Sequence, residues 1–282
     1  MNFFNGIKNL YYSLKSNKKI IFYFENSTSE IHFKGLLDKI NNYIIITSDK
    51  DLQSKNFKIY NFFNRYLLVF FFTFVRNKII VMTTPDLENF YLKKNNQNKY
   101  IYVHHSICST HMIYNSKAFD HYDYIFNVGD YQNKEIRKRE ELYKLKKKKL
   151  FNYGYGKLDY LINNYSQNQN PDEITIAPSW NKSQEYLISI DKIITVLIDN
   201  FKIRFRPHKD SFKYHPKDIN KIISKFSKKK NFILDLDDNS FDYILNAKYF
   251  ITDWSGACFE YAFFTLRPVI FLDTQPKVNN LD

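Results

Sequence analysis

The feature of this 282-residue chain that most restricts its fold is an alternation: short runs of β-branched and aromatic residues, bounded by turn residues, each followed by a polar stretch of helical length. In the first half the runs are 20–24, 43–47, 78–83, 100–104 and 124–128, with helices expected between them, as over 30–40 and 131–148. A polar, proline-containing linker at 163–172 (NNYSQNQNPD) follows. The pattern then restarts, with strands expected at 174–177, 202–205, 232–235, 249–252 and 269–272, and helices around 183–199, from Pro216, around 241–246 and after Gly256. Runs apolar on both sides suit strands buried on both faces, and strand, helix, strand in succession builds a parallel sheet covered by helices. The expected fold is α/β: two Rossmann-like, doubly wound domains over 1–165 and 166–282, facing a cleft at the carboxyl ends of their strands.

Composition narrows the function classes. Asn, Lys, Ile, Tyr and Phe dominate while Gly (6) and Pro (7) are scarce, so the net charge of +13 partly reflects AT-rich codon usage. A basic protein still suits nucleotide phosphates, anionic polymers or an acidic membrane surface. No aromatic-interleaved motif indicates nucleic acid. Cys108 and Cys258 form neither a disulfide framework nor a zinc spacing, which points to a reducing cytoplasm. The first residues lack the apolar core of a signal peptide. LLVFFFTFV at 67–75 is less than half of a ~20-residue span and reads as a core helix or strand, with peripheral membrane contact as the alternative.

Five clusters carry potential chemistry. In AKYFITDWSGACFE (247–260), a strand ends at Thr252 and Asp253 and a Ser255-Gly256 turn opens a helix, whose first N–H groups attract anions. Ser255 can cap, Gly256 lets a phosphate approach, Asp253 flanks the turn, and Glu260 is an isolated carboxylate that needs a partner; such turns also simply start helices. His104 and His105 end another strand, where a general base is presented, and alternation lets only one of them face the site readily. Arg204, Arg206 and His208 share one side of a strand terminus and could meet one anionic group. Ala177-Pro178-Ser179-Trp180 supplies a hydroxyl and an aromatic ring. Gly154-Tyr155-Gly156-Lys157 is too short for a P-loop, and Gly154 permits a turn or a close approach between domains. The lysines at 146–149 and 228–230 read as solvated helix ends.

In order, these motifs resemble the CDP-glycerol glycerophosphotransferase family of teichoic-acid and capsule synthesis: His-Ser after a strand, Gly-x-Gly-Lys-x-Asp, Ala-Pro-Ser-Trp, Arg-x-Arg-Pro-His and Thr-Asp-Trp-Ser-Gly-x-x-x-Glu. The resemblance implies a GT-B arrangement whose second domain, here incomplete, holds a CDP-alcohol. It implies His105 as the base, Arg206 and His208 as a basic element, and Thr252, Ser255 and Gly256 as the pyrophosphate-holding turn, with Glu260 meeting the donor ribose. No cofactor or metal is expected. The implied reaction moves glycerol phosphate, or a related alditol phosphate, from a CDP-alcohol to a hydroxyl of a cell-surface polymer or lipid-linked glycan and releases CMP. It implies a cytoplasmic enzyme, with peripheral contact at the inner face of the membrane. Two alternatives stand beside it: a glycosyltransferase or epimerase using a nucleotide sugar, and a non-catalytic module that docks on anionic polymer.

Overall fold

The computed structural model describes residues 3–50, 52, 57–180, 185–237, 240–276 and 278–281. The chain divides into two compact units, Met1–Tyr160 with Val278–Asp282, and Leu161–Lys277.

The first unit runs α1 (Phe3–Lys15), β1 (Ile20–Phe24), α2 (Ser29–Leu37), β2 (Tyr43–Thr47), β3 (Ile59–Asn61), α3 (Arg65–Phe74), β4 (Ile79–Met82), β5 (Lys99–Val103), α4 (Thr110–Ile113), β6 (Tyr124–Asn127), α5 (Asp130–Leu142) and β7 (Lys149–Asn152), and its boundary with the second falls within α6 (Gly156–Asn164). Its seven strands pair in parallel in the order β3-β2-β1-β4-β5-β6-β7. Alternation in β1 sends Ile21 and Tyr23 into a core beneath Leu68, Phe71 and Phe72 of α3, and Phe22 and Phe24 into another beneath Phe33 and Leu37 of α2. Each of these aromatic side chains is fully or almost fully buried, a gain of about 1.5–3 kcal/mol apiece. The apolar segment at 67–75 is therefore helical, with only one side inside.

Two local expectations need correction. The helix expected over 131–148 ends at Leu142, because Lys144 turns the chain into the left-handed region at φ 51°. The lysines that follow are not all solvated: Lys148 is buried, its Nζ 3.6 Å from Glu140, whose carboxylate also accepts the Lys148 N–H at 2.7 Å.

The second unit runs β8 (Glu173–Ile176), α7 (Glu185–Leu197), β9 (Lys202–Phe205), α8 (Lys209–Tyr214), α9 (Pro216–Phe226), β10 (Phe232–Leu234), α10 (Asp242–Leu245), β11 (Ala247–Thr252), α11 (Ala257–Thr265) and β12 (Val269–Phe271). The first residues of the helix expected from 183 lie outside the described residues. The parallel order is β10-β9-β8-β11-β12. Ile174, Ile176, Ile203 and Phe205 meet Ile190 and Ile194 of α7 and Ile219 and Ile222 of α9 on one face. The other face of β8 and β9 is polar, carrying Glu173, Thr175, Lys202 and Arg204. Each unit is a parallel-sheet α/β domain, as the alternation of strands and helices predicts. Among the described residues no helix is long and apolar enough to cross a membrane.

Candidate active site

In the first unit the strand order reverses between β1 and β4, and doubly wound sheets bind ligands outside the carboxyl ends of strands at such a point. Glu25 follows β1, Thr83 and Thr84 follow β4, and His104 and His105 follow β5. The Nδ1 of His105 lies 2.9 Å from the Thr83 carbonyl oxygen and 3.1 Å from Tyr102 Oη. A carbonyl can only accept, so Nδ1 carries the proton and the lone pair is left on Nε2. Burial holds the His105 pKa below its ordinary value, with the Thr83 bond opposing and the Lys157 charge adding to the fall. The ring is thus neutral at neutral pH, with its basic nitrogen defined.

His104 turns the other way. It is 1 % exposed, edge-on to Tyr102 at 4.9 Å and tilted against Phe119 at 5.1 Å between ring centres. Burial, and next the nearby His105, drive its pKa to about 3, against an opposing interaction with the Asn127 side chain. A catalytic His104, the lesser of the two expectations, conflicts with this enclosure. His111 is engaged by Asn280, at 3.1 Å.

Another imidazole, absent from the sequence reading, joins His105: His32 of α2, 6.1 Å away between ring centres. Burial first, then His105 and Lys157, hold it well below the ordinary histidine range. It sits in an unremarkable helical stretch, EIHFKG, and only the chain's return brings it to the site. That return is made by Gly156, where a Cβ would stand 2.8 Å from the His32 carbonyl oxygen. Gly154 is different: its φ is +95° and no atom lies within 4 Å of a Cβ there, so it serves the turn. The close-approach glycine is Gly156, and its neighbour is α2 of the same unit.

A cavity of about 520 Å³ opens at the opposite edge of this sheet, lined by Lys99, Tyr124 and Lys149 at strand starts and by Asp120, Lys146 and Lys147. It is remote from the chemistry of His105 by topology, since strand starts and strand ends lie on opposite edges.

In the second unit the reversal falls between β8 and β11, where Ser179 and Asp253 meet. Asp253 Oδ1 accepts the Ser179 N–H at 2.6 Å and Oδ2 accepts its hydroxyl at 2.9 Å, and both residues are buried. Thr252 is fully buried and its hydroxyl donates to the Ala177 carbonyl at 2.6 Å. Ser179, Thr252 and Asp253 thus tie two strand ends together and spend these polar atoms within the protein.

α11 begins at Ala257, with Gly256 at its N-cap. Its first N–H groups, expected to be without internal partners, make long bonds: Ala257 to Ser255 Oγ at 3.4 Å, Cys258 to the Ser255 carbonyl at 3.3 Å and Phe259 to the Gly256 carbonyl at 3.2 Å. Bonds this long are weak and easily exchanged for an anion. Glu260 is buried and accepts from Tyr243 Oη at 2.9 Å, so the lone carboxylate finds its partner inside the unit. The Tyr243 ring carries the Arg206 guanidinium at 4.4 Å.

The basic strand end is less free than its sequence suggests. Arg204 donates to Glu173 at 2.6 and 3.3 Å and to Asp235 at 3.2 Å, and Arg206 donates to Asp235 at 2.6 Å and to the Asp237 carbonyl at 2.7 Å. His208 caps α8, its Nδ1 accepting the Asp210 N–H at 3.1 Å, which directs its remaining proton to Nε2. Trp180 stacks on Tyr214 with ring centres 5.0 Å apart. Among the described residues no group of three or more His, Cys, Asp or Glu could hold a metal ion.

No curated protein matches the sequence. The fold is similar to that of the wall teichoic acid polymerase TagF soaked with CDPG, at TM-score 0.57 and 15% identity over 93% of this chain and 75% of that one. It is also similar to Staphylococcus aureus MnaA with UDP, at 0.61 and 14% over 91% and 79%, and to the UDP-GlcNAc 2-epimerase of Methanocaldococcus jannaschii, at 0.53 and 14% over 90% and 83%. The family model for CDP-glycerol:poly(glycerophosphate) glycerophosphotransferase matches residues 10–276. A match over nearly the whole chain decides between the enzymatic and the merely polymer-binding readings: this protein belongs to the glycerophosphotransferase family and is an enzyme of that type, with a role in teichoic-acid-type synthesis.

Proposed function

We propose that the protein transfers glycerol phosphate, or a related alditol phosphate, from a CDP-alcohol to a hydroxyl of a cell-surface polymer or lipid-linked glycan. The observation that carries this reading is the His105 geometry: a neutral imidazole whose Nδ1–H is held by Thr83, leaving Nε2 to take a proton. The acceptor hydroxyl gives its proton to Nε2, its oxygen bonds to the β-phosphorus, and the bond from that phosphorus to the bridging oxygen breaks to release CMP. Phosphoryl transfer requires alignment and charge neutralisation more than covalent help. The opening of α11, with Ser255 and Gly256, and the Arg206 and His208 side chains are suited to the donor phosphates. Ser179, Thr252 and Asp253 shape the adjoining strand ends, and Glu260 orients Tyr243 beneath Arg206. Use of a nucleotide donor fits the cytoplasm.

The test pairs turnover with binding. His105→Ala should lower CMP release from CDP-glycerol by about 10²–10⁴-fold while calorimetric binding of CDP-glycerol changes little. Unchanged turnover removes His105 from the role. Release of UDP from a nucleotide sugar, with none of CMP from CDP-glycerol, overturns the donor assignment.

A further inference from the structure

One carboxylate at the strand ends of the first unit is built into the site without serving the fold. Glu25 directly follows β1 and is exposed, although Ile21 to Phe24 of that strand are all buried. Its Oε2 accepts the Thr84 hydroxyl at 2.9 Å, a bond between residues 59 apart in the chain that joins the ends of β1 and β4. Those are the two strands between which the order reverses. Glu25 forms no ion pair among the described residues, and its Oε1 is left to accept from elsewhere.

The turn that holds Glu25 also holds the base. Thr83 presents its carbonyl to His105 Nδ1 at 2.9 Å, Thr84 presents its hydroxyl to Glu25, and the Thr84 carbonyl accepts from Tyr122 Oη, which fixes the turn from below. β1 and β5 lie on either side of β4, about 10 Å apart at the usual strand spacing, and both side chains lean inward over the β4 end. Carboxylate and imidazole therefore flank one narrow gap on a rigid ledge. Charge decides what that gap takes. A phosphate set against Glu25 meets like charge, and a cation meets the Lys157 charge that His105 feels. A neutral hydroxyl meets neither, and an O–H donated to a carboxylate is among the stronger hydrogen bonds.

Resting on the glycerophosphotransferase reading, we propose that Glu25 determines acceptor specificity: it takes the hydroxyl next to the one that reacts at His105, and so selects a chain end that is an alditol with adjacent free hydroxyls. Thr84 orients the carboxylate through its hydroxyl bond. The second hydroxyl only donates a hydrogen bond, and no proton passes to Glu25. A chain end that carries a phosphomonoester is repelled, and one that lacks the second hydroxyl leaves Glu25 unmatched.

Saturation-transfer NMR titration of the full chain tests this without turnover, with bis(glyceryl) phosphate as the probe and its analogue lacking the secondary hydroxyls as the comparison. The parent should bind the diol about tenfold or more tighter than the analogue. Glu25→Gln, nearly isosteric at an exposed position, should bind both equally and weakly, while its calorimetric affinity for CDP-glycerol stays within about twofold of the parent. Thr84→Val, which frees the carboxylate, should lose part of the preference. In turnover, Glu25→Gln should raise the acceptor KM by more than it lowers kcat. Equal binding of diol and analogue by the parent, a preference that survives Glu25→Gln, or a matching loss of CDP-glycerol binding in that variant overturns the proposal. CMP release without any diol preference overturns the Glu25 assignment alone, whereas a diol preference in a parent that releases no CMP overturns the donor reading and upholds the hydroxyl site.

Discussion

His104 and His105 leave the same strand, yet one side chain enters an aromatic core and the other accepts a fixed tautomer from a carbonyl at the sheet edge. The pH behaviour of each follows. Because burial lowers the His105 pKa, the acid limb of kcat/KM should have its midpoint below the ordinary histidine value of about 6.5; a midpoint at or above that value would contradict the assigned environment. His104 governs stability instead. Its folded pKa, about 3, lies below that of the unfolded chain, so protons favour unfolding and stability is complete above about pH 6.5 and lost as pH falls from there. His104→Phe removes this titration from an aromatic site and should reduce the acid loss without abolishing it, since His32 is also held well below the ordinary histidine range. Urea denaturation between pH 7 and 4 measures both effects. The sequence announced a histidine pair at a strand end; which ring faces the edge depends on Thr83 and Phe119, far off in the chain. His32 was illegible for the same reason, since its neighbour His105 is brought to it only by folding.

At the scale of elements, most strands and the helices α2, α5, α7, α9, α10 and α11 were legible, the strands because runs buried on both faces leave continuous apolar stretches. α1 and α6 were not expected and α3 was left open between helix and strand, while β3, α4 and α8 were missed because they are too short to show a period. The end of α5 was misplaced because a lysine, not a glycine, takes the left-handed position there. The two glycines before α6 make separable predictions. Gly156→Ala forces α6 away from the α2 carbonyls and should cost about 1–3 kcal/mol. Gly154→Ala meets no atoms and should cost about 1 kcal/mol through its positive φ alone. Thermal denaturation of both variants checks this, and an unchanged Gly156→Ala would place the close approach elsewhere. In the second unit, Glu173→Gln leaves Arg204 and Lys202 short of a carboxylate beneath the sheet, which should cost about 3–5 kcal/mol.

Across the whole molecule, a net charge of +13 suggests a broadly cationic surface, yet the cations that look most functional are answered from within. Arg204 and Arg206 share Asp235, and Lys148 lies against Glu140. The remaining positive charge lies mostly on exposed side chains, so the proposed binding of an anionic polymer should weaken steeply as salt rises past about 0.1 M, whereas a salt-independent affinity would assign it to buried groups. Sequence alone determined the α/β class and the family motifs, because burial patterns and strand-end residues are local and leave a local trace. Tertiary structure alone decided which polar groups face outward: Asp253 is claimed by Ser179, Glu260 by Tyr243 and Arg206 by Asp235. A buried charge or donor must be satisfied by whatever folding brings within about 3 Å, and that neighbour is set by strand order, not by position along the chain.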